Sequence, residues 1–329
     1  MTAVLRAWSI VALFAATGCG SGSTTAPVAR PARVRVELST IPDVADVPRL
    51  MAVDAMRSRG YSVDAIAFAD TTATVLALER GELDFANVSD LTAWRAIQKG
   101  MPIVAVIDDS RNPNILAATR DIATCADLNG KRVAIQNLAG SNTTVLNRYV
   151  EQHCPGTKPR YLVMAGAPTR LAGVLAGELD AAIMELADLD NVDVQQHGKV
   201  VPLVIFAEAF PGLTTLSHFT RRELIHKHPD TVKDWLRAML EARRRIQDAR
   251  VLEQELVTRL HMTPDVAHTT AVTYLARAFW DVNGRFTAES VQQNIDFMAT
   301  TVDQPLGVKA ADVADLTLLH AVLDEIGRK

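Results

Sequence analysis

Ala77-Leu78-Glu79-Arg80-Gly81-Glu82-Leu83-Asp84-Phe85-Ala86 returns further along the chain as Val174-Leu175-Ala176-Gly177-Glu178-Leu179-Asp180-Ala181-Ala182-Ile183. Both copies read as a helix, a glycine, Glu-Leu-Asp and then an apolar strand. The glycine suits the left-handed position just past a helix end, and the aspartate turns the chain into the strand. One such junction can arise in any helix-to-strand loop. Two, at matching places in two strand–helix series, imply two similar α/β lobes.

Working outward, strand patterns fall at Val34–Leu38, Ser62–Phe68, Asp84–Val88 and Ile103–Ile107, with helix patterns at Val47–Arg59, Thr72–Arg80 and Asp90–Lys99 between them. A second series follows Asp121. Its strands are Arg132–Ile135, Arg160–Met164 and Asp180–Met184, and its helices Asn142–Glu151 and Thr169–Ala176. Apolar strands return at Val200–Phe206 and Thr214–His218. From Arg221 onward the pattern is nearly all helical, with Pro229 opening a long helix expected to reach Ala249. Strands alternating with helices of this length imply βαβ units and mostly parallel sheets.

Bulk composition agrees. The 329 residues are 48% hydrophobic and 22% charged, enough to bury a large core, and length favours two domains. A formal charge of −4 with scattered Lys and Arg argues against a nucleic-acid groove, which needs clustered cations. Aromatics at 5% disfavour a sugar site built on stacked rings. The Arg221–Arg250 stretch contains Arg243-Arg244-Arg245, but interleaved acids make it a solvated face.

The N-terminus carries a targeting signal. Arg6 precedes the apolar run Ala7–Ala16, too short to span a bilayer but suited to a secretory signal peptide over residues 1–18. Ala16-Thr17-Gly18 before Cys19 resembles a bacterial lipobox, which implies a lipidated Cys19. Residues 19–32 then form a Gly/Ser/Thr/Pro/Ala tether with too few apolar side chains to fold. Only Cys125 and Cys154 remain. They flank one strand-plus-helix unit, and export to an oxidising compartment favours a disulfide over two buried thiols.

Taken with Asp127-Leu128-Asn129-Gly130-Lys131-Arg132-Val133 and Gly140-Ser141-Asn142-Thr143, these features resemble the type II periplasmic-binding-protein fold. The resemblance is closest to the solute-binding proteins of ABC importers for nitrate, sulfonates, taurine and thiamine precursors, the NMT1/THI5-like family. It spans essentially the whole mature chain. It implies lobe 1 at about 33–117 plus 213–329, lobe 2 at about 118–212, and a hinge of two crossing strands near Ala117-Ala118-Thr119 and Phe206–Leu213. A lipid-anchored, extracytoplasmic monomer that delivers a small solute to an ABC permease and ATPase is the implied function. A sensor or scaffold of the same fold is the alternative.

In open α/β sheets a ligand sits beyond the carboxyl ends of strands, where helix N-termini present unpaired N–H groups. The loops at those ends supply the candidate ligand-binding residues. In the first lobe they are Ser39, Thr40, Asp70, Ser89, Asp90, Asp109 and Asn112; in the second, Gly140, Ser141, Asn142, Thr143 and Glu185. Hydroxyls and amides of Gly140–Thr143 can hold an oxyanion, although Ser141 or Asn142 also suits an ordinary helix cap. The acidic excess of Asp70, Asp90, Asp109 and Glu185 leans towards a ligand with donors or an amine, such as an aminosulfonate or a pyrimidine. No nucleophile elbow, P-loop, HExxH or dinucleotide fingerprint appears, and the eight histidines lack ligand spacing. No catalytic residue, cofactor or metal is therefore expected.

Overall fold

The computed structural model describes residues 33–39, 42–68, 71–138, 140–190, 198–299 and 305–329. The expected signal peptide, Cys19, the tether, Thr40 and Asp70 lie outside the described residues.

The chain folds as two α/β lobes with sheets flanked by helices. In the first, β1 (Arg33–Glu37) and β2 (Ser62–Ile66) pair in parallel across the helix α1 (Val47–Ser58). Helix α2 (Thr71–Glu79) leads into β3 (Ala86–Ser89), and α3 (Asp90–Gln98) into β4 (Ile103–Asp108). Every residue of β4 is buried, as an unbroken apolar strand demands. The second lobe holds β5 (Asn114–Thr119), β6 (Arg132–Ile135), β7 (Arg160–Val163), β8 (Ala181–Glu185) and β9 (Val200–Ile205), in the order β7-β6-β8-β5-β9. Helices α4 (Ser141–His153) and α5 (Ala167–Leu175) carry its crossovers. A short helix α6 (Phe206–Ala209) then returns the chain to the first lobe, where β10 (Leu216–Arg221) inserts between β3 and β4.

Pairs joined by helical crossovers, β1–β2, β6–β7 and β6–β8, run parallel. β5 and β10, each the first strand after a passage between lobes, run antiparallel to both their neighbours. A strand entering from the other lobe begins where its neighbours end, so its direction is reversed. Asn114, the first residue of β5, accordingly sits opposite Glu185, the last of β8.

The repeated Gly-Glu-Leu-Asp junction is the same object twice. Gly81 and Gly177 have φ of 73° and 75°. Glu82 N donates to Ala77 O at 2.9 Å, and Glu178 N to Gly173 O at 2.9 Å. Asp84 N reaches Arg35 O at 2.7 Å while its carboxylate accepts from Arg35 N at 2.9 Å. Asp180 N reaches Arg132 O at 2.9 Å while its carboxylate accepts from Arg132 N at 2.7 Å. Each aspartate thus stitches the start of its strand to the neighbouring strand, and the arginine guanidinium closes over it.

The rest of the chain is helical: α7 (Arg222–Lys227), α8 (Pro229–Arg245), α9 (Ala249–Leu260), α10 (Pro264–Ala276), α11 (Ala288–Ala299), α12 (Ala310–Val313) and α13 (Thr317–Ile326). The helix expected to run to Ala249 stops at Arg245, because Asp248 accepts from Arg250 N and caps a new helix. Trp235 of α8 stacks on Phe85 at 4.9 Å, fastening the helical layer to the first lobe. A second apolar cluster joins Val47 and Met51 of α1 to Ile115 and Met184 of the second lobe and to Tyr274, Phe279 and Trp280. Cys125 and Cys154 form a disulfide with Cα atoms 5.9 Å apart, tying the 3₁₀ turn Cys125–Leu128 to the end of α4.

Candidate ligand-binding cleft

The strand ends of the two lobes face each other across a cleft of about 1060 Å³. Ser39, Ser89 and Asp109 line it from the first lobe, and Gly140, Ser141, Asn142, Thr143 and Glu185 from the second. Two of the expected residues do not line it. Asp90, the first residue of α3, is 1% exposed and turned behind the wall towards Ser217 of β10; burial pushes its carboxyl up to about 7. It is not among the residues that line the cleft, where a ligand contact was expected of it. Asn112, buried where the chain passes between lobes, donates to Asn142 Oδ1 at 2.9 Å and accepts from Asn114 N at 3.0 Å. It organises the wall instead of lining it.

Two side-chain hydrogen bonds from the start of α4 reach the first lobe among the described residues: Asn112 to Asn142 Oδ1, and Ser89 Oγ with Ser141 Oγ at 2.8 Å. Helix α4 starts with Gly140 as its cap residue and has no side-chain cap bond. The hydroxyl of Ser141 and the amide of Asn142 reach across the gap, and Thr143 Oγ1 donates to Asn137 O at 2.7 Å.

Sequence reading missed the charged floor of the first lobe. Arg49, 2% exposed, pairs with Glu37 at 2.6 Å and with Asp46, and donates to Ser39 Oγ at 3.2 Å. Its guanidinium stays charged although burial opposes this, because Asp46 and Glu37 surround it. Asp109 accepts from His218 Nε2 at 3.0 Å. Burial opposes ionisation of Asp109, but the His218 bond, with the charges of Arg49 and Arg243, holds its carboxyl below the usual range. Burial pushes His218 towards its neutral ring, whose Nε2–H then donates to the ionised Asp109. On the opposite wall Arg170 donates to the carbonyls of Ile183 and Met164, at 2.7 and 2.9 Å. The two buried arginines of the cleft are thus already engaged by protein acceptors. Asp43 and Glu185 both line the cleft, and burial, with the charge of neighbouring carboxylates, pushes both carboxyls up, that of Asp43 to about 7.

The signals for these residues were present but local. Asp43 and Asp46 frame a helix start, and Arg49 stands three residues after Asp46, a spacing that brings the two side chains together on a helix. Among the described residues no group of three or more His, Cys, Asp and Glu is placed to hold a metal. None of the described helices is long and apolar enough to cross a membrane.

Solved structures of the same architecture cover nearly the whole chain. A zinc-bound ligand-binding component of an ABC-type import system from Staphylococcus aureus aligns with a TM-score of 0.70 at 15% identity, over 88% of this chain and 98% of that one. The alkanesulfonate-binding protein of Xanthomonas axonopodis pv. citri bound to MOPS aligns at 0.65 and 18%, over 87% and 99%. The periplasmic nitrate-binding protein of Synechocystis PCC 6803 aligns at 0.67 and 12%, over 90% and 89%. At these identities the likeness establishes the fold, that of type II periplasmic binding proteins. No curated protein sequence matches the chain. The NMT1/THI5-like family model matches residues 57–248, which run from the end of α1, through both Gly-Glu-Leu-Asp junctions and the second lobe, to the start of α9. With more than half of its 329 residues inside that match, the chain belongs to the NMT1/THI5-like family.

Proposed function

We propose that this chain is the extracytoplasmic solute-binding component of an ABC importer, anchored through a lipidated Cys19 and working with a permease and an ATPase. Its two lobes, divided before β5 at Asn114 and not at the expected 117–118, with the chain from about 213 onward returning to the first, close on a small polar or anionic solute of the sulfonate, nitrate or thiamine-pyrimidine kind. The observation that carries this is the cleft itself, with strand ends and helix starts from both lobes converging on one volume and two hydrogen bonds from the start of α4 already reaching the first lobe. Backbone N–H groups at the start of α4 suit an acceptor group on the solute, and a helix N-terminus adds about 0.3–1 kcal/mol to an anion. Residues on both walls give the closed state an affinity the open state lacks, the requirement for a solute to drive closing.

Native mass spectrometry of the purified protein, followed by a thermal-shift screen of sulfonates, nitrate and aminopyrimidines, tests the reading. A ligand at about 100 times its Kd adds about 2.7 kcal/mol of stability, a readily measured shift. No co-purifying solute and no shift from any of these classes would count against it.

A further inference from the structure

We infer that the solute taken by this cleft carries a cationic nitrogen group, an ammonium or amidinium, seated among Asp43 and Asp109 of the first lobe and Glu185 of the second. The inference rests on the solute-binding reading above and narrows it, because nitrate and amine-free sulfonates are then excluded.

The buried arginines of the cleft are held by the protein's own acceptors. Arg49 pairs with Glu37 and Asp46 and donates to Ser39, and Arg170 donates to the carbonyls of Ile183 and Met164. Arg243, behind Asp109, is taken up by Asp108 and the Asp109 carbonyl. A plain anion would have to draw one of these guanidinium groups away from its acceptors. Arg95 and Lys99 also line the cleft, but they stand about 8 and 14 Å along α3 from its start at the strand end, towards the outer rim.

The carboxylates are in the opposite position. Among the described residues neither Asp43 nor Glu185 forms an ion pair with a Lys, Arg or His, although both line the cleft. Asp109 is an acceptor already fixed in place. It is 3% exposed yet lines the cleft. Its Oδ1 accepts from His218 Nε2 at 3.0 Å, its N–H donates to Leu216 O at 3.2 Å, and its carbonyl accepts from Arg243 at 2.6 Å. Oδ2 meets the hydroxyl of the adjacent Ser110 at 3.4 Å, longer than a good O–H···O bond. A buried carboxylate oxygen so held and so short of donors is completed by an N–H of the solute.

The same arrangement couples the cation to closing. Asp43 precedes α1 and Asp109 follows β4, whereas Glu185 ends β8 of the other lobe. Without a cation, like-charged groups meet as the lobes approach and oppose closing. A cation between them turns repulsion into attraction, and it touches all three only when the lobes are together. That difference is what a solute needs to drive closing. The raised carboxyls of Asp43 and Glu185 agree with this, since a buried site without a cation penalises each further negative charge.

Two probe pairs test the inference. Guanidinium and nitrate are both planar and trigonal but opposite in charge, and aminoethanesulfonate differs from ethanesulfonate by one ammonium. Affinities of the four for the mature chain are measured by calorimetric titration at constant ionic strength. The two cationic members are expected to bind at least about ten-fold more tightly than their partners, as befits hydrogen bonds to a charged group. Asp109→Asn keeps an acceptor for His218 and removes the charge. Glu185→Gln removes a charge from the other wall at a half-buried position, so the test survives if the Asp109 variant does not fold. Each is expected to weaken the cationic members about ten-fold and to leave ethanesulfonate unweakened. Nitrate or ethanesulfonate binding as tightly as its cationic partner overturns the inference and leaves solute binding standing. So does a co-purifying solute with no basic nitrogen, or cationic binding that neither substitution weakens. Binding of none of the four, with no co-purifying solute, overturns both readings.

Discussion

Ser89 Oγ lies 2.8 Å from Ser141 Oγ, joining the last residue of β3 to the first of α4 across the cleft. The pair links the two lobes although neither hydroxyl takes part in its own lobe's secondary structure. Asn112 and Asn142 repeat the arrangement on the neighbouring residue of α4. Such contacts stabilise one relative position of the lobes and leave each lobe's own fold alone.

Ser141→Ala combined with Asn142→Ala is therefore expected to weaken ligand binding more than folding. Each lost hydrogen bond removes about 0.5–1.5 kcal/mol, so Kd is expected to rise about ten-fold or more. The melting temperature without ligand should change little, because Gly140 and not a side chain caps α4. Thermal-shift curves with and without ligand measure both quantities. A comparable fall in the ligand-free protein would make these side chains determinants of the helix start.

The two junction aspartates should differ in weight. Asp84 is buried and accepts from Arg35 and from Arg221 Nη2 at 2.9 Å, so Asp84→Ala leaves buried charge uncompensated and should cost about 3–5 kcal/mol. Asp180 meets a half-exposed Arg132, and Asp180→Asn should cost about 1 kcal/mol. Urea midpoints compare the two. The hydrogen bond from Arg132 holds the Asp180 carboxyl below its ordinary value. Its contribution is thus present above the unfolded pKa and lost as pH falls through the depressed one. The stability gap between wild type and Asp180→Asn should close below about pH 4.

Legibility divided along physical lines. The Gly-Glu-Leu-Asp junctions were readable because a helix end, a positive φ and a strand start are local requirements, met within ten residues. Ser39, Ser89, Asp109, Gly140–Thr143 and Glu185 were found by one geometric rule, that ligands gather at strand ends, and they do share a cleft. Asp90 satisfied the same rule yet turned inward, since the first residue of a helix can point under a strand as readily as into a gap. For Arg49 only the spacing to Asp46 was legible, and its other partner was hidden for a different reason. Glu37, which neutralises it, sits on β1, and nothing along the chain says that the two side chains meet. The long helix was misjudged because Asp248 reads as one more polar residue on an amphipathic face until its cap bond is seen.

Reduction of the Cys125–Cys154 disulfide should lower stability without altering the cleft. The bridge closes a loop with a sequence separation of 29, for which chain entropy gives about 3–4 kcal/mol. It lies at the far end of α4 from Ser141. Cys125→Ser with Cys154→Ser should lower the melting point by several degrees and keep the ligand-induced increment. Loss of the increment would mean that the bridge positions the start of α4 as well as its end.

Arg243 offers the sharpest separation of charge from shape. Against the solvated face expected of the Arg243-Arg244-Arg245 run, it is fully buried on α8, with Nη1 2.7 Å from Asp108 Oδ1 and Nη2 2.6 Å from the Asp109 carbonyl. One guanidinium thus balances Asp108 and fixes the backbone that presents Asp109 to the cleft. Arg243→Met removes both, leaves Asp108 buried without its partner, and should cost about 3–5 kcal/mol. Arg243→Lys keeps the charge, but a single ammonium does not reproduce the fork. The lysine variant should recover part of the folding stability while ligand binding stays weakened, because the Asp109 carbonyl loses its donor. Denaturant midpoints report the first quantity and thermal shifts with ligand the second. Equal recovery of both would mean that charge alone is required at this position.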